Sequence, residues 1–594
     1  MDTYGFYKGE IFDAYEYLGA HVVEFGTVFR TYAPNAAGVV LKLNGSEIEM
    51  HRVNDGNFYE VYCEGAGEGD IYEFRIYQKN GSFVDHCDPY GFGMELRPLH
   101  ASIVRDLSKY QFGDAKWMKK RSTQRSGPLN IYEMHVGSWK KTEDDEWYTY
   151  RELAPLLTEY LKKTGYNYVE FMPLSEHPVD ESWGYQNTGF FAPTSRYGTA
   201  EDLMYLIDEL HKNDIGVILD FVPVHFATDW YALERYDGTQ LYEYPSSDIT
   251  VSEWGSYNFL HSRGEVRSFL QSAANYWMQK YHFDGLRMDA ISRIIYWMGD
   301  ERRGVNKCAV DFVKTMNKGL KWMNNGCILS AEDSTNYPGV TRSIDEGGLG
   351  FDYKWDMGWM HDTLNYFQSN PFFRSGGYHQ LTFSMMYYYN ENYMLPFSHD
   401  ENVHGKATIL QKMNGQYEDK FPQGRALYMY MMAHPGKKLN FMGGEIGQLR
   451  EWDEKKEQDW LLLKYPNHDS FYHYMCELNK LYLNNPAFWA EDFSNNGFEW
   501  IDCHQESRNI YAFVRRGEGQ SIGCILNLSD VGAEYDFNLP ADMVDGDLKT
   551  LLNTDWDIYG GTSPKGEGAL WKDNERVNSI LPPFTGILFT TTKA

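Results

Sequence analysis

The chain has 594 residues, which at roughly 100–200 residues per domain suggests several units, fewer if one is an α/β barrel. Lys+Arg 55 against Asp+Glu 84 gives a formal charge of −29, which excludes nucleic acid and anionic membrane surfaces as partners, since both demand clustered basic charge. Aromatic residues make up 16% of the sequence, enough apolar surface to exclude disorder.

The N-terminal stretch has early acids and no apolar run, so no signal peptide is expected, and no segment reaches the ~18 uncharged apolar residues of a membrane span. Strand-like runs at 27–32, 39–43, 59–63 and 72–78 are separated by the turn pairs Pro34-Asn35, Asn44-Gly45 and Asn80-Gly81. That spacing predicts an all-β sandwich over residues 1–110.

Beyond about Lys119 the pattern changes, and residues 111–490 are expected to form the central domain. Helical periodicity appears at 149–163, opened by the capping box Thr149-x-x-Glu152, and again at 199–214 and 265–282. Between such helices lie apolar runs at 130–136, 168–174, 216–222, 285–290, 327–332, 351–355, 393–398 and 438–443. Continuous apolar strands alternating with amphipathic helices predict a parallel sheet, and their number points to an α/β fold of the (β/α)8 TIM-barrel type. From about Asn495 the helical period fades, and runs at 510–515, 521–528, 534–539 and 586–591 predict a C-terminal all-β domain over 491–594. The seven cysteines are scattered, odd in number and without a C-x-x-C pair, so free thiols and a cytoplasmic location are expected.

In a barrel of this type chemistry sits at the C-terminal strand ends, and there the sequence places Asp220, Asp289, Glu332 and Asp400, with His225, Arg287 and His399 beside them. An isolated Asp after a strand is ordinarily a helix cap. Carboxylates at four strand ends, accompanied by Arg and His, are instead what acetal hydrolysis or transfer needs: one group protonates the leaving oxygen while a second attacks or stabilises the oxocarbenium-like centre.

The segments DFVPVH (220–225), GLRMDA (285–290), AED (331–333) and FSHDE (397–401) resemble the four signature regions of the α-amylase superfamily, in the family's order. The stretches at 132–139, 169–199, 395–406 and 440–452 are similar to glycogen branching enzymes in particular, and 26–36 with 88–98 resemble the carbohydrate-binding-type β-module that precedes their barrel. The resemblance implies that Asp289 is the nucleophile, Glu332 the acid/base and Asp400 the third catalytic acid. It further implies that Asp220, His225 and His399 bind the glucosyl ring, that Tyr185 lies under it, and that Arg287 keeps Asp289 charged. The implied activity is 1,4-α-glucan branching in glycogen metabolism, on glycogen, amylose or amylopectin as donor and acceptor; hydrolysis of α-glucan by the same groups is the alternative, and a non-catalytic glucan-binding protein a more distant one. Val224 stands where many α-amylases place a calcium-ligating Asn, and no metal or other cofactor is expected. The oligomeric state stays open, with a monomer favoured.

Overall fold

The computed structural model describes residues 1–124, 126–246, 248–567 and 569–592. The apolar runs of the central region all become strands: β1 (Asn130–Met134), β2 (Tyr168–Phe171), β3 (Gly216–Phe221), β4 (Gly285–Met288), β5 (Ile328–Ala331), β6 (Tyr353–Trp355), β7 (Tyr393–Phe397) and β8 (Lys437–Phe441). They close into a barrel in chain order. Every strand position is buried, which is why these segments read as unbroken apolar runs. Most strands stop one to three residues before the apolar run does, and Asp289, Glu332 and Asp400 fall just past those ends, where the backbone has left the ladder, while Asp220 is still within β3.

The chain divides into two compact units, one comprising Met1–Ser122, His135–Thr158 and Glu170–Asp352 and the other Thr123–Met134, Glu159–Val169 and Tyr353–Ala594. The first opens with helix α1 (Thr3–Lys8), inside the region expected to be all β. Six residues with an internal glycine are too few to show a helical period. The segment is held by its partner, helix α4, whose range is Gly264–Lys280. Ser268 donates to the Phe6 carbonyl at 2.9 Å, Gln271 to those of Gly9 and Ile11, and Asn275 to that of Phe12, so peptide groups that a short helix leaves open are paired.

The sandwich follows as predicted, with one sheet ordered Gly19–Val23, Gly26–Tyr32, Phe58–Glu64, His51–Val53 and the other ordered Ser46–Glu49, Gly38–Leu43, Ile71–Tyr77, Phe83–His86. Phe29, Leu41, Phe58 and Phe74 are fully buried in it. Tyr32 donates to Glu265 and Asn35 to Asp237, tying the module to the barrel part of the same unit. Helices α2 (Tyr150–Thr164) and α3 (Ala200–Lys212) match the predicted periods. Both open with a closed capping box, Thr149 with Glu152 and Thr199 with Asp202.

The second unit carries β1 and β6–β8 together with the C-terminal domain. That domain pairs a five-stranded sheet, ordered Phe498–Gln505, Ile510–Gly517, Gln520–Asn527, Thr585–Thr592, Asp547–Asn553, with a three-stranded one. Strand Phe498–Gln505 was not legible in the sequence because it is partly exposed along its whole length and mixes polar with apolar residues. Among the described residues no helix is long and apolar enough to cross a membrane.

Candidate active site

In the first unit three adjacent strands bring most of the predicted side chains together. Asp220 on β3 pairs in register with Arg287 on β4, and Arg287 with Ser330 on β5. Side chains two residues apart on a strand share a face, so Asp289 and Glu332 follow Arg287 and Ser330 toward the same side. The result is a network centred on Arg287. Its Nη1 reaches Asp220 at 2.7 Å and Asp289 Oδ1 at 2.9 Å, and its Nη2 lies 3.2 Å from Glu332 Oε2. Tyr185 donates its hydroxyl to Asp220 and lies with its ring centroid 5.9 Å from the guanidinium.

Burial alone would depress the Arg287 pKa. The surrounding charges of Asp220, Tyr185, Glu332 and Asp289 more than reverse that and raise it well above the usual arginine value. The guanidinium is therefore a permanent cation held between carboxylates. Exposure is graded across the group, from 0% for the Arg287 side chain and 1% for Asp220 to 14% for Asp289 and 20% for Glu332, so the two predicted reacting groups are the ones open to a ligand.

Backbone geometry fixes this arrangement. Ala290, directly after Asp289, has φ +49°, a left-handed conformation that costs a non-glycine residue about 1–2 kcal/mol. In that conformation its N–H donates to Glu332 Oε2 at 2.8 Å, so the turn behind one carboxylate holds the other. Tyr185 owes its place to a second turn. Gly184 has φ +90°, and a Cβ there would sit 2.5 Å from the Pro173 carbonyl oxygen, so only glycine lets the loop approach the end of β2.

His225 stands apart from the network, on the short strand His225–Phe226 that pairs antiparallel with Tyr257–Asn258. Its ring lies 5.3 Å from that of Trp254, and its buried Nδ1 has no hydrogen-bond partner among the described residues. Burial, helped by the charge of Arg293, lowers its pKa to about 4, so at neutral pH it is an uncharged imidazole.

In the second unit His399 and Asp400 lie on the single turn His399–Asn402 that follows β7. Glu133, at the end of β1, takes both the His399 N–H at 3.0 Å and the ring Nδ1 at 2.5 Å, which turns Nε2 toward Asp400 Oδ1 at 3.5 Å. Glu133 is 1% exposed and was not singled out from the sequence. The available signal was an acid near the end of a strand whose other residues, Asn130 apart, are apolar or aromatic. Among the described residues no group of three or more His, Cys, Asp or Glu side chains is placed to hold a metal ion.

Three family models match the chain: carbohydrate-binding module 48 (isoamylase N-terminal domain) over residues 17–91, the α-amylase catalytic domain over 132–247, and the α-amylase C-terminal all-β domain over 500–591. Among curated proteins, the 1,4-α-glucan branching enzyme GlgB of Fusobacterium nucleatum is 42% identical over 95% of this chain and 93% of its own. That of Halothermothrix orenii is 42% identical over 99% and 98%, and that of Bacillus subtilis 40% over 98% and 96%. Among solved structures, pullulanase from Bacillus acidopullulyticus superposes with a TM-score of 0.73 at 17% identity, covering 97% of this chain and 75% of that one. Pullulanase from Anoxybacillus sp. LM18-11 in complex with maltotetraose gives 0.74 at 16%, covering 100% and 90%. At such identities these structures speak for the fold alone.

Proposed function

The chain belongs to the 1,4-α-glucan branching enzymes of the α-amylase family, and on that premise we propose how its residues carry out the transfer. It is a glycosyltransferase that cuts an α-1,4-glucan and joins the severed chain to a glucan 6-hydroxyl. Asp289 attacks the anomeric carbon and forms a covalent glucosyl ester, while Glu332 protonates the departing glycosidic oxygen. Glu332 then takes the proton of the incoming 6-hydroxyl, and the two inversions retain the α configuration. Asp400 and His399 hold sugar hydroxyls and favour the distorted ring, and Asp220, His225 and Tyr185 bind and orient a glucosyl residue. The observation that carries this assignment is the single guanidinium of Arg287 touching both Asp289 and Glu332. It keeps the nucleophile ionised, and it supports the short carboxylate separation, about 5–5.5 Å, that retention requires. The neutral His225, with its unpartnered buried Nδ1, supports a hydrogen bond to a sugar hydroxyl.

The same reading takes 1–110 as the glucan-binding module, 111–490 as the catalytic barrel and 491–594 as the closing β-domain, in an enzyme that works on glycogen, amylose or amylopectin. It places the enzyme in the cytoplasm, supported by seven cysteines that are all free thiols.

Incubation with amylose tests the reading. New α-1,6 linkages in the NMR spectrum, falling iodine colour and almost no new reducing ends are the expected result. Reducing ends rising in step with the colour loss would make the protein a hydrolase instead.

A further inference from the structure

Transfer differs from hydrolysis only in what reaches the covalent intermediate, so a branching enzyme needs a surface that seats a second glucan chain beside it. A candidate lies in the first unit, between the end of β3 and helix α5 (Ile291–Ile295), which follows β4. Trp254 is 46% exposed, although its ring lies against the buried His225. Arg293, on α5, covers another side of the indole with its guanidinium carbon 5.0 Å from the ring centroid.

This pairing is held from several directions. Arg293 is bound by the Glu253 carboxylate and the Met298 carbonyl. Gly299, at φ +72°, leaves room for it, since a Cβ there would come within 2.6 Å of Arg293 Cδ. Trp254 takes a hydrogen bond from Gln186, the neighbour of Tyr185, on its carbonyl at 3.1 Å, and its N–H donates to Ser252 Oγ at 3.2 Å. Beside the indole an open slot is lined by Val224, Tyr244, Asn258, Trp297 and Met298. An indole locked in place yet left half open is a poor core residue and a good platform for the apolar face of a sugar.

We propose that Trp254, braced by Arg293, is the stacking platform for the acceptor glucan. The proposal rests on the branching reading above. In the second half-reaction the acceptor O6 bonds to the anomeric carbon, the bond from that carbon to the Asp289 carboxylate breaks, and the O6 proton passes to Glu332. The acceptor must therefore approach from the side of Glu332. Helix α5 begins there, with the Ile291 N–H on the Glu332 carbonyl at 2.9 Å, and it carries Arg293 away from that point to Trp254.

The test compares wild type with Trp254→Leu, which keeps apolar bulk but no flat face, and Trp254→Phe, which keeps a ring. Donor amylose is held fixed and a maltooligosaccharide acceptor is varied, while α-1,6 bonds and reducing ends are counted separately and thermal melts check folding. Trp254→Leu should raise the half-saturating acceptor concentration about tenfold, the equivalent of one good ring–sugar contact, and shift products toward reducing ends. Hydrolysis without acceptor should stay within about twofold, and Trp254→Phe should recover most of the acceptor affinity. An unchanged half-saturating concentration in Trp254→Leu overturns the proposal. So does an equal fall in hydrolysis and transfer, which would make Trp254 a mere support for His225. If wild type forms no α-1,6 bonds at all, the branching reading itself falls, a result visible before any variant is made.

Discussion

Arg287 is fully buried, and the charges that balance it lie on three neighbouring strands, Asp220 on β3, Asp289 just past β4 and Glu332 just past β5. A planar fork of donors can satisfy that arrangement, whereas a lysine ammonium, a point charge on a flexible stem, cannot span it. Arg287→Lys should therefore lower the branching rate by ~10²-fold or more, read from initial rates of iodine-colour loss. Asp289→Asn removes the nucleophile at nearly constant shape. It should abolish turnover and leave glucan affinity, measured by co-sedimentation with glycogen, largely intact; an active variant would sink the mechanism. Glu133 acts one step removed, since it positions His399 through both the backbone and the ring. Glu133→Gln offers a neutral amide in its place, and we expect kcat to fall ~10-fold with KM changed much less, because the lost property is orientation of a ring needed in the transition state.

Elements depend on buried charge as well. In the second unit Arg515, on strand Ile510–Gly517, donates to the carbonyls of Gly497, Ala433 and Phe488 and to Asp492, while Lys437 at the start of β8 meets the other oxygen of Asp492. Burial would raise the Asp492 pKa, but Lys437 and Arg515 outweigh it and hold the carboxyl below its ordinary range. One guanidinium thus joins a C-terminal strand to the helix Tyr417–Ala433 and to the barrel strand that follows it. Arg515→Leu leaves Asp492 short of a partner and frees several carbonyls, so a loss of about 3–5 kcal/mol is expected in denaturant unfolding. None of this was legible beforehand, because an Arg in a strand-like run shows nothing about which distant carbonyls it will meet. The strands themselves were legible for the opposite reason: a barrel strand buried on both faces must be apolar throughout, and that is a property of the segment alone.

For the molecule as a whole, stability carries a pH signature from the far end of the barrel strands. His211 is buried between Asp114 and Asp284, at 2.8 Å and 2.9 Å. His282 shares Asp114, and Trp117 and the Val217 N–H both donate to Asp284, with Arg121 at 3.9 Å. Burial opposes a charge on His211, yet the two aspartates outweigh it and raise its pKa to about 9. A group whose pKa is raised on folding contributes stability that is fully present below its unfolded value, about 6.5, and is lost as pH climbs through 9. The Tm difference between wild type and His211→Gln should accordingly be largest at pH 6 and shrink toward pH 9.5. A difference independent of pH would mean that the imidazole is held neutral.

The sequence by itself determined the sandwich, the barrel strands and their order, the C-terminal β-domain, and the carboxylates at strand ends, because each is written in local periodicity or in a short motif of fixed spacing. It placed Arg287 beside Asp289 for the same local reason, a separation of two along one strand. Tertiary structure alone decided that Arg287 also reaches Asp220 and Glu332, since that depends on the register between strands far apart in the chain. It alone decided that Glu133 turns His399, that α1 exists at all, and that Trp254 is left half open under Arg293. Register, burial and the company a side chain keeps are properties of packed segments, and no single segment carries them.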